Sequence, residues 1–193
     1  MCGFSAFFSK NRIFSDDFLD SVERDLFHRG PDSGGRYVEN GVALIFRRLS
    51  IHDLSNNANQ PMVDKNNKAT IVFNGEIYNF LELRKILQSK GIVFVTNSDT
   101  EVLLQGYLFW GEKVLDKIEG MFAFVIVDHE KKEVLAARDP FGIKPLYISY
   151  LNDVLAFSSE IKSLRRVVGT SVNQTSLSEL LTFGWASGKL SNL

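Results

Sequence analysis

The chain predicts an α+β fold, with two mostly antiparallel sheets packed face to face and helices outside them. Three observations carry this: apolar runs of strand length recur, helical periodicities interrupt them, and several neighbouring runs are joined by links too short for a crossover. The strand candidates are residues 3–8, 42–46, 70–73, 92–95, 121–127, 134–137, 146–149 and 154–157, rich in Val, Ile and Phe. The polar links His129-Glu130-Lys131-Lys132 and Asn152-Asp153 suit hairpins. The first helix spans 15–27, with Phe18, Leu19, Val22 and Leu26 on one side. A second spans 79–89 on Phe80, Leu83 and Leu87, and Gly91 stops it. The third opens at Ser98-Asp99-Thr100-Glu101, in the form of a capping box, and continues through Leu103, Tyr107 and Trp110. A short fourth covers 176–182. No repeat or linker divides the chain, so residues 1–193 read as one domain.

Composition bounds the function. A chain of 193 residues can bury a core without disulfides or metals, and its single cysteine excludes an internal bridge. The 22 basic and 23 acidic side chains are dispersed and leave a net charge of -1, which argues against a nucleic-acid surface. No apolar run reaches membrane-spanning length, and no basic segment followed by an apolar run opens the chain, so a reduced cytoplasmic setting is expected. A small molecule or another protein is the expected partner.

The only cysteine, Cys2, directly follows Met1. Removal of Met1 places a thiol and a free α-amine on one carbon, a nucleophile and a base whose ordinary pKa values are about 8.5 and about 8. A small buried hydrophobe is the competing reading of Cys2 alone. Four other segments combine turn residues with polar side chains. Residues 28–35, His-Arg-Gly-Pro-Asp-Ser-Gly-Gly, form a constrained turn, held by Asp32, rather than a phosphate loop. Arg48, at the end of an apolar strand, suits either a carboxylate clamp or an exposed strand-end charge. Asn74-Gly75 reads either as a tight turn or as an amide and an unobstructed N–H aimed at an oxyanion. Asp99 is explained by the helix dipole, or it receives a ligand ammonium.

Together, seven ordered segments resemble the class II glutamine amidotransferase domain of glutamine-hydrolysing asparagine synthetases. They are Met1-Cys2-Gly3-Phe4, His28-Arg29-Gly30-Pro31-Asp32, Arg48-Leu49-Ser50-Ile51 with Gln60-Pro61-Met62, Phe73-Asn74-Gly75-Glu76-Ile77-Tyr78-Asn79, Ser98-Asp99-Thr100-Glu101, Gly120-Met121-Phe122-Ala123-Phe124, and the ten residues from Arg138 to Tyr147. The resemblance implies a four-layer αββα N-terminal-nucleophile hydrolase sandwich. Carried over to matching positions, it implies Cys2 as nucleophile with its own α-amine as base, and Asn74 and Gly75 as the oxyanion hole. Arg48 would hold the α-carboxylate of L-glutamine, Glu76 and Asp99 would face its α-ammonium, and Leu49 and Ile51 would shape the pocket wall. The segments at 138–147 and 157–162 read as structural or domain-contacting.

The implied activity is hydrolysis of glutamine to glutamate and ammonia, with no metal or organic cofactor in this half-reaction. ATP and Mg would belong to a synthetase domain or subunit, which the resemblance places outside this chain. A homo-oligomer is compatible with these residues. Two competing functions remain at this level: a non-catalytic glutamine-binding or assembly module, and an N-terminal-nucleophile amidohydrolase acting on another amide.

Overall fold

The computed structural model describes residues 1–39, 41–49, 59–169 and 173–184. One antiparallel sheet has the order β2 (Ser33–Glu39), β3 (Val42–Arg48), β1 (Gly3–Ser9), β9 (Val154–Ser158), β8 (Tyr147–Leu151). The second has the order β4 (Met62–Val63), β5 (Ala69–Ile77), β6 (Gly120–Asp128), β7 (Glu133–Arg138), also antiparallel. Helices α1 (Asp16–Leu26) and α4 (Ile161–Val168) cover the first sheet. The second is covered by α2 (Phe80–Ser89) and α3 (Asp99–Trp110), and α5 (Gln174–Phe183) closes the described chain. Among the described residues no helix is long and apolar enough to cross a membrane.

The period-two pleat sorts the strands into three apolar layers. Phe4 and Ala6 of β1, Leu44 and Phe46 of β3, Val72 of β5, Ala123, Val125 and Val127 of β6 and Phe157 of β9 meet between the sheets. The alternate positions turn outward. Phe7, Ala43, Ile45 and Ala156 pack on Leu19, Val22, Leu26 and Leu164, while Ile71, Phe73, Phe124 and Ile126 pack on Leu83, Leu87, Leu103 and Tyr107. These contacts build the four αββα layers.

Four sequence expectations change. Residues 92–95 form no strand: Ile92 and Phe94 pack on the α2–α3 layer, and the N–H groups of Val95 and Thr96 donate to the Glu101 carboxylate (2.8 and 2.6 Å) instead of to a neighbouring strand. The capping box is therefore half made. Ser98 Oγ accepts from Glu101 N (3.2 Å), but Glu101 reaches further back, and Ser98 N is served by Thr96 Oγ1 (3.1 Å). Ser33-Gly34-Gly35 is strand rather than turn. A Cβ on Gly35 would run into the carbonyl oxygen of Gln60, so this glycine lets the chain at 60–61 lie against β2. Finally, α4 is an amphipathic helix that went unpredicted because no side chain caps its start.

Candidate active site

Along β1 and β3 the ladder begins at the pair Gly3 and Arg47, so the next residues outward are Cys2 and Arg48. Both share the parity of the strand positions that face the other sheet, Phe4 and Ala6 on one strand, Leu44 and Phe46 on the other. Across the gap, Asn74 has the parity of Val72. One pleat thus carries three polar residues to the same end of the inter-sheet layer.

Cys2 is partly buried and packs against this layer. Its Sγ lies at the main chain of Leu49, accepting from Leu49 N (3.4 Å) and donating to Leu49 O (3.6 Å). Leu49 therefore contributes its backbone as well as the expected wall. Arg29 donates from Nε to the Cys2 carbonyl (3.0 Å), a contact the sequence did not disclose, since the residues around it read only as a turn. That turn is held by Arg47, which donates to the carbonyls of Gly30 (2.8 Å) and Pro31 (3.1 Å), while Asp32 N donates to Arg48 O (3.1 Å).

Asn74 and Gly75 do not form a turn. They lie inside β5, paired with Ala123 and Phe122 of β6, and the chain turns only at Tyr78 and Asn79. Glycine at 75 is demanded by close approach: a Cβ there would strike the Met121 carbonyl and lie 2.8 Å from Phe122 Cα. Asn74 is 2% exposed, and its Nδ2 has no hydrogen-bond partner among the described residues. A buried donor left unpaired costs about 1–3 kcal/mol.

Arg48 is buried, not an exposed strand-end charge, and its Nη1 donates to Asn59 Oδ1 (2.8 Å). The adjacent Gln60 is buried too, accepting from Phe73 N (2.6 Å) and donating to Phe73 O (3.2 Å) and Thr100 Oγ1 (3.3 Å). It ties the residue before Asn74 to the residue after Asp99. Asp99, the first residue of α3, accepts from Ile77 N at the end of β5 (3.0 Å). Burial pushes its carboxyl above the usual range, against the opposing bonds from Ile77 and Thr100 N–H, and the charge of Glu76 adds to the rise. Ile51 lies outside the described residues.

The ten-residue segment 138–147 is organised by Asp139, whose carboxylate accepts from Phe141 N (3.1 Å), Ile143 N (2.9 Å), Lys144 N (3.0 Å) and Phe122 N (3.3 Å). Phe122 is the ladder partner of Gly75, so this loop steadies the strand beside Asn74 and Gly75. A concavity of about 1220 Å³ opens at the opposite end of the sandwich, lined by Ser9, Lys10, Glu39 and His129. It lies away from the thiol and the orphan amide.

The model of the glutamine amidotransferase domain family matches residues 1–192. The chain belongs to this family. As an amidotransferase domain it is 45% identical over 168 residues to asparagine synthetase [glutamine-hydrolyzing] 1 of Bacillus subtilis, covering 85% of this chain and 26% of that protein. It is 38% identical over 176 residues to amidase chry2 of Gibberella zeae, covering 84% of this chain and 26% of that one. The domain thus spans about a quarter of the length of these relatives. The solved structure of glutamine phosphoribosylpyrophosphate amidotransferase from B. subtilis superposes with a TM-score of 0.72 at 23% identity, over 87% of this chain and 44% of that one. That likeness bears on the fold, and the four-layer αββα arrangement is the N-terminal-nucleophile one.

Proposed function

We propose that this enzyme hydrolyses L-glutamine through a thioester on Cys2 and supplies the ammonia to an ATP-dependent amidation, as a domain or partner of an asparagine-synthetase-like protein. The observation that carries this reading is the Nδ2 of Asn74 beside Gly75, buried without a partner among the described residues, at the same end of the inter-sheet layer as the thiol.

The steps balance within residue 2. The Cys2 α-amine takes the thiol proton as sulfur adds to the carboxamide carbon, and the new oxyanion is received by Asn74 Nδ2 and Gly75 N–H. The terminal ammonium returns its proton to the leaving nitrogen, the C–N bond breaks, and ammonia departs. The same amine then takes a proton from water as hydroxide adds to the thioester. The C–S bond breaks, glutamate leaves and the thiol is restored. Arg48 holds the α-carboxylate, while Glu76 and Asp99 take the α-ammonium, an arrangement that favours a free amino acid over other amides. No metal or organic cofactor enters these steps; ATP and Mg serve the synthetase half.

Met1 is 57% exposed, so its peptide bond to Cys2 is open to an aminopeptidase. The test uses protein whose intact mass shows that Met1 is removed. Glutamate release from glutamine is expected in that form and absent from Cys2→Ala, and turnover retained in the variant would overturn the assignment. Glutamine binding without turnover in the processed protein would instead favour the non-catalytic module.

A further inference from the structure

We propose that Glu160 is a positioning residue for the nucleophile: its carboxylate holds Arg29 against the carbonyl of Cys2 and so sets the orientation of residue 2. The inference rests on the reading of Cys2 as the nucleophile.

Arg29 Nη1 donates to Glu160 Oε1 (2.9 Å) and Arg29 Nε to Cys2 O (3.0 Å), joining positions 131 and 27 residues apart. The Arg29 side chain is only 10% exposed, and its Nη2 is buried without a partner among the described residues. The guanidinium is therefore fixed by Glu160 on one side and Cys2 on the other. Its stem lies flush on the chain beside the thiol, since a Cβ on Gly3 would fall 2.7 Å from Arg29 Cδ.

The residues before Glu160 grip the same segment. Ser159 N donates to Phe4 O (2.9 Å), Phe4 N donates to Ser159 Oγ (3.2 Å), and Ser158 Oγ meets Ser5 Oγ (2.7 Å). Glu160 N in turn donates to Ser158 Oγ (3.0 Å). Residues 158–160 thus hold Cys2, Phe4 and Ser5 in register, and Glu160 is the member that reaches residue 2.

A helix-capping role does not account for this carboxylate. Glu160 is the N-cap of α4 but makes no side-chain cap bond, because its Oε1 is turned to Arg29 and to His28 Nε2 (3.1 Å). On the outer side Lys162 Nζ meets His28 Nδ1 (3.1 Å), so the groups facing Glu160 are Arg29, His28 and, behind it, Lys162. Burial alone would raise the Glu160 pKa, but the bonds from Arg29 and His28 hold it below the usual carboxylate range. It remains an anion at neutral pH.

The test is a double-mutant cycle on the full, Met1-free chain with Arg29→Met, Glu160→Ala and the pair, and Glu160→Gln as an isosteric variant that keeps an acceptor. Glu160→Ala is expected to lower kcat about tenfold with KM for glutamine within about twofold, and Glu160→Gln to lose less. The double variant is expected to be no slower than Arg29→Met. Multiplicative losses, an unchanged kcat in Glu160→Ala, or a kcat loss that only tracks a falling Tm would overturn the proposal. If Glu160→Ala fails to fold, Glu160→Gln carries the cycle. The rate of Cys2 alkylation by iodoacetamide, followed by intact mass, is read in the same proteins and is expected to show the same non-additivity. A Met1-free wild type that does not turn glutamine over would defeat the function proposed above, while the alkylation cycle still decides the role of Glu160.

Discussion

Asn74 keeps a buried donor without a partner among the described residues, a cost that binding of the proposed oxyanion would recover. Asn74→Ala is therefore expected to lower kcat by about 10²–10³-fold with little change in KM, measured by steady-state glutamate release. Gly75 is a residue of fit. Gly75→Ala would push the Met121 carbonyl and Phe122 Cα off the β5–β6 ladder, and a loss of about 1–3 kcal/mol in chemical denaturation is expected, together with loss of hydrolysis. Asp99 carries the opposite balance. Its carboxyl lies above the ordinary value in the folded state, so the stability it contributes is present at low pH and lost as pH rises through the folded value. Burial makes its ionised form costly, and a ligand cation, on the function proposed above, would offset that cost. Asp99→Asn is thus expected to raise the denaturation midpoint of the ligand-free protein at pH 7 and to raise KM for glutamine. A lowered midpoint with unchanged KM would show that the carboxylate serves only the helix.

At the scale of elements, the polar joins decide where the site groups stand. Gln60 hydrogen-bonds both main-chain groups of Phe73 and the hydroxyl of Thr100, so one side chain sets the spacing between β5 and the start of α3. Gln60→Leu preserves volume but leaves Phe73 N–H buried and unpaired. A cost of about 1–3 kcal/mol is expected in urea denaturation, with KM raised because Asp99 moves with its helix. Much of this level was legible. The helix from Ser98, the stop at Gly91 and both hairpin links stand where the residues indicated, since caps, left-handed glycines and short polar links act over a few residues. The run at 92–95 was misread because its alternation suits a strand, while Glu101 takes the N–H groups of Val95 and Thr96. At Asn74-Gly75 the turn alternative fails for the converse reason: Asn-Gly signals a turn locally, yet β6 supplies a ladder that carries β5 through both residues.

For the whole molecule, acid should loosen the sandwich from the loop beside Asn74 and Gly75. Burial would raise the pKa of Asp139, but four backbone N–H groups hold it below the ordinary carboxylate value. For such a group the stabilising contribution is full above the unfolded pKa and is lost as pH falls through the folded one. Glu23, between Arg36 and Arg47, and Glu160, at Arg29, share that direction. The urea midpoint is expected to fall as pH drops below about 4, and Asp139→Asn to lower it at pH 7 and flatten its acid dependence.

The strand and helix periodicities, the faces that form the three apolar layers and the thiol at residue 2 are written in the chain itself. Pleat and helix repeat over two to four residues, and a cysteine carries its chemistry wherever it lies. Only the tertiary structure decided that Arg48 is buried against Asn59, that Asn74 Nδ2 lies buried in a strand without a partner among the described residues, and that Glu160 reaches Cys2 through Arg29. A sequence names donors and acceptors without their separations, and which of them meet is settled when the layers close and each buried polar group takes the partner within reach.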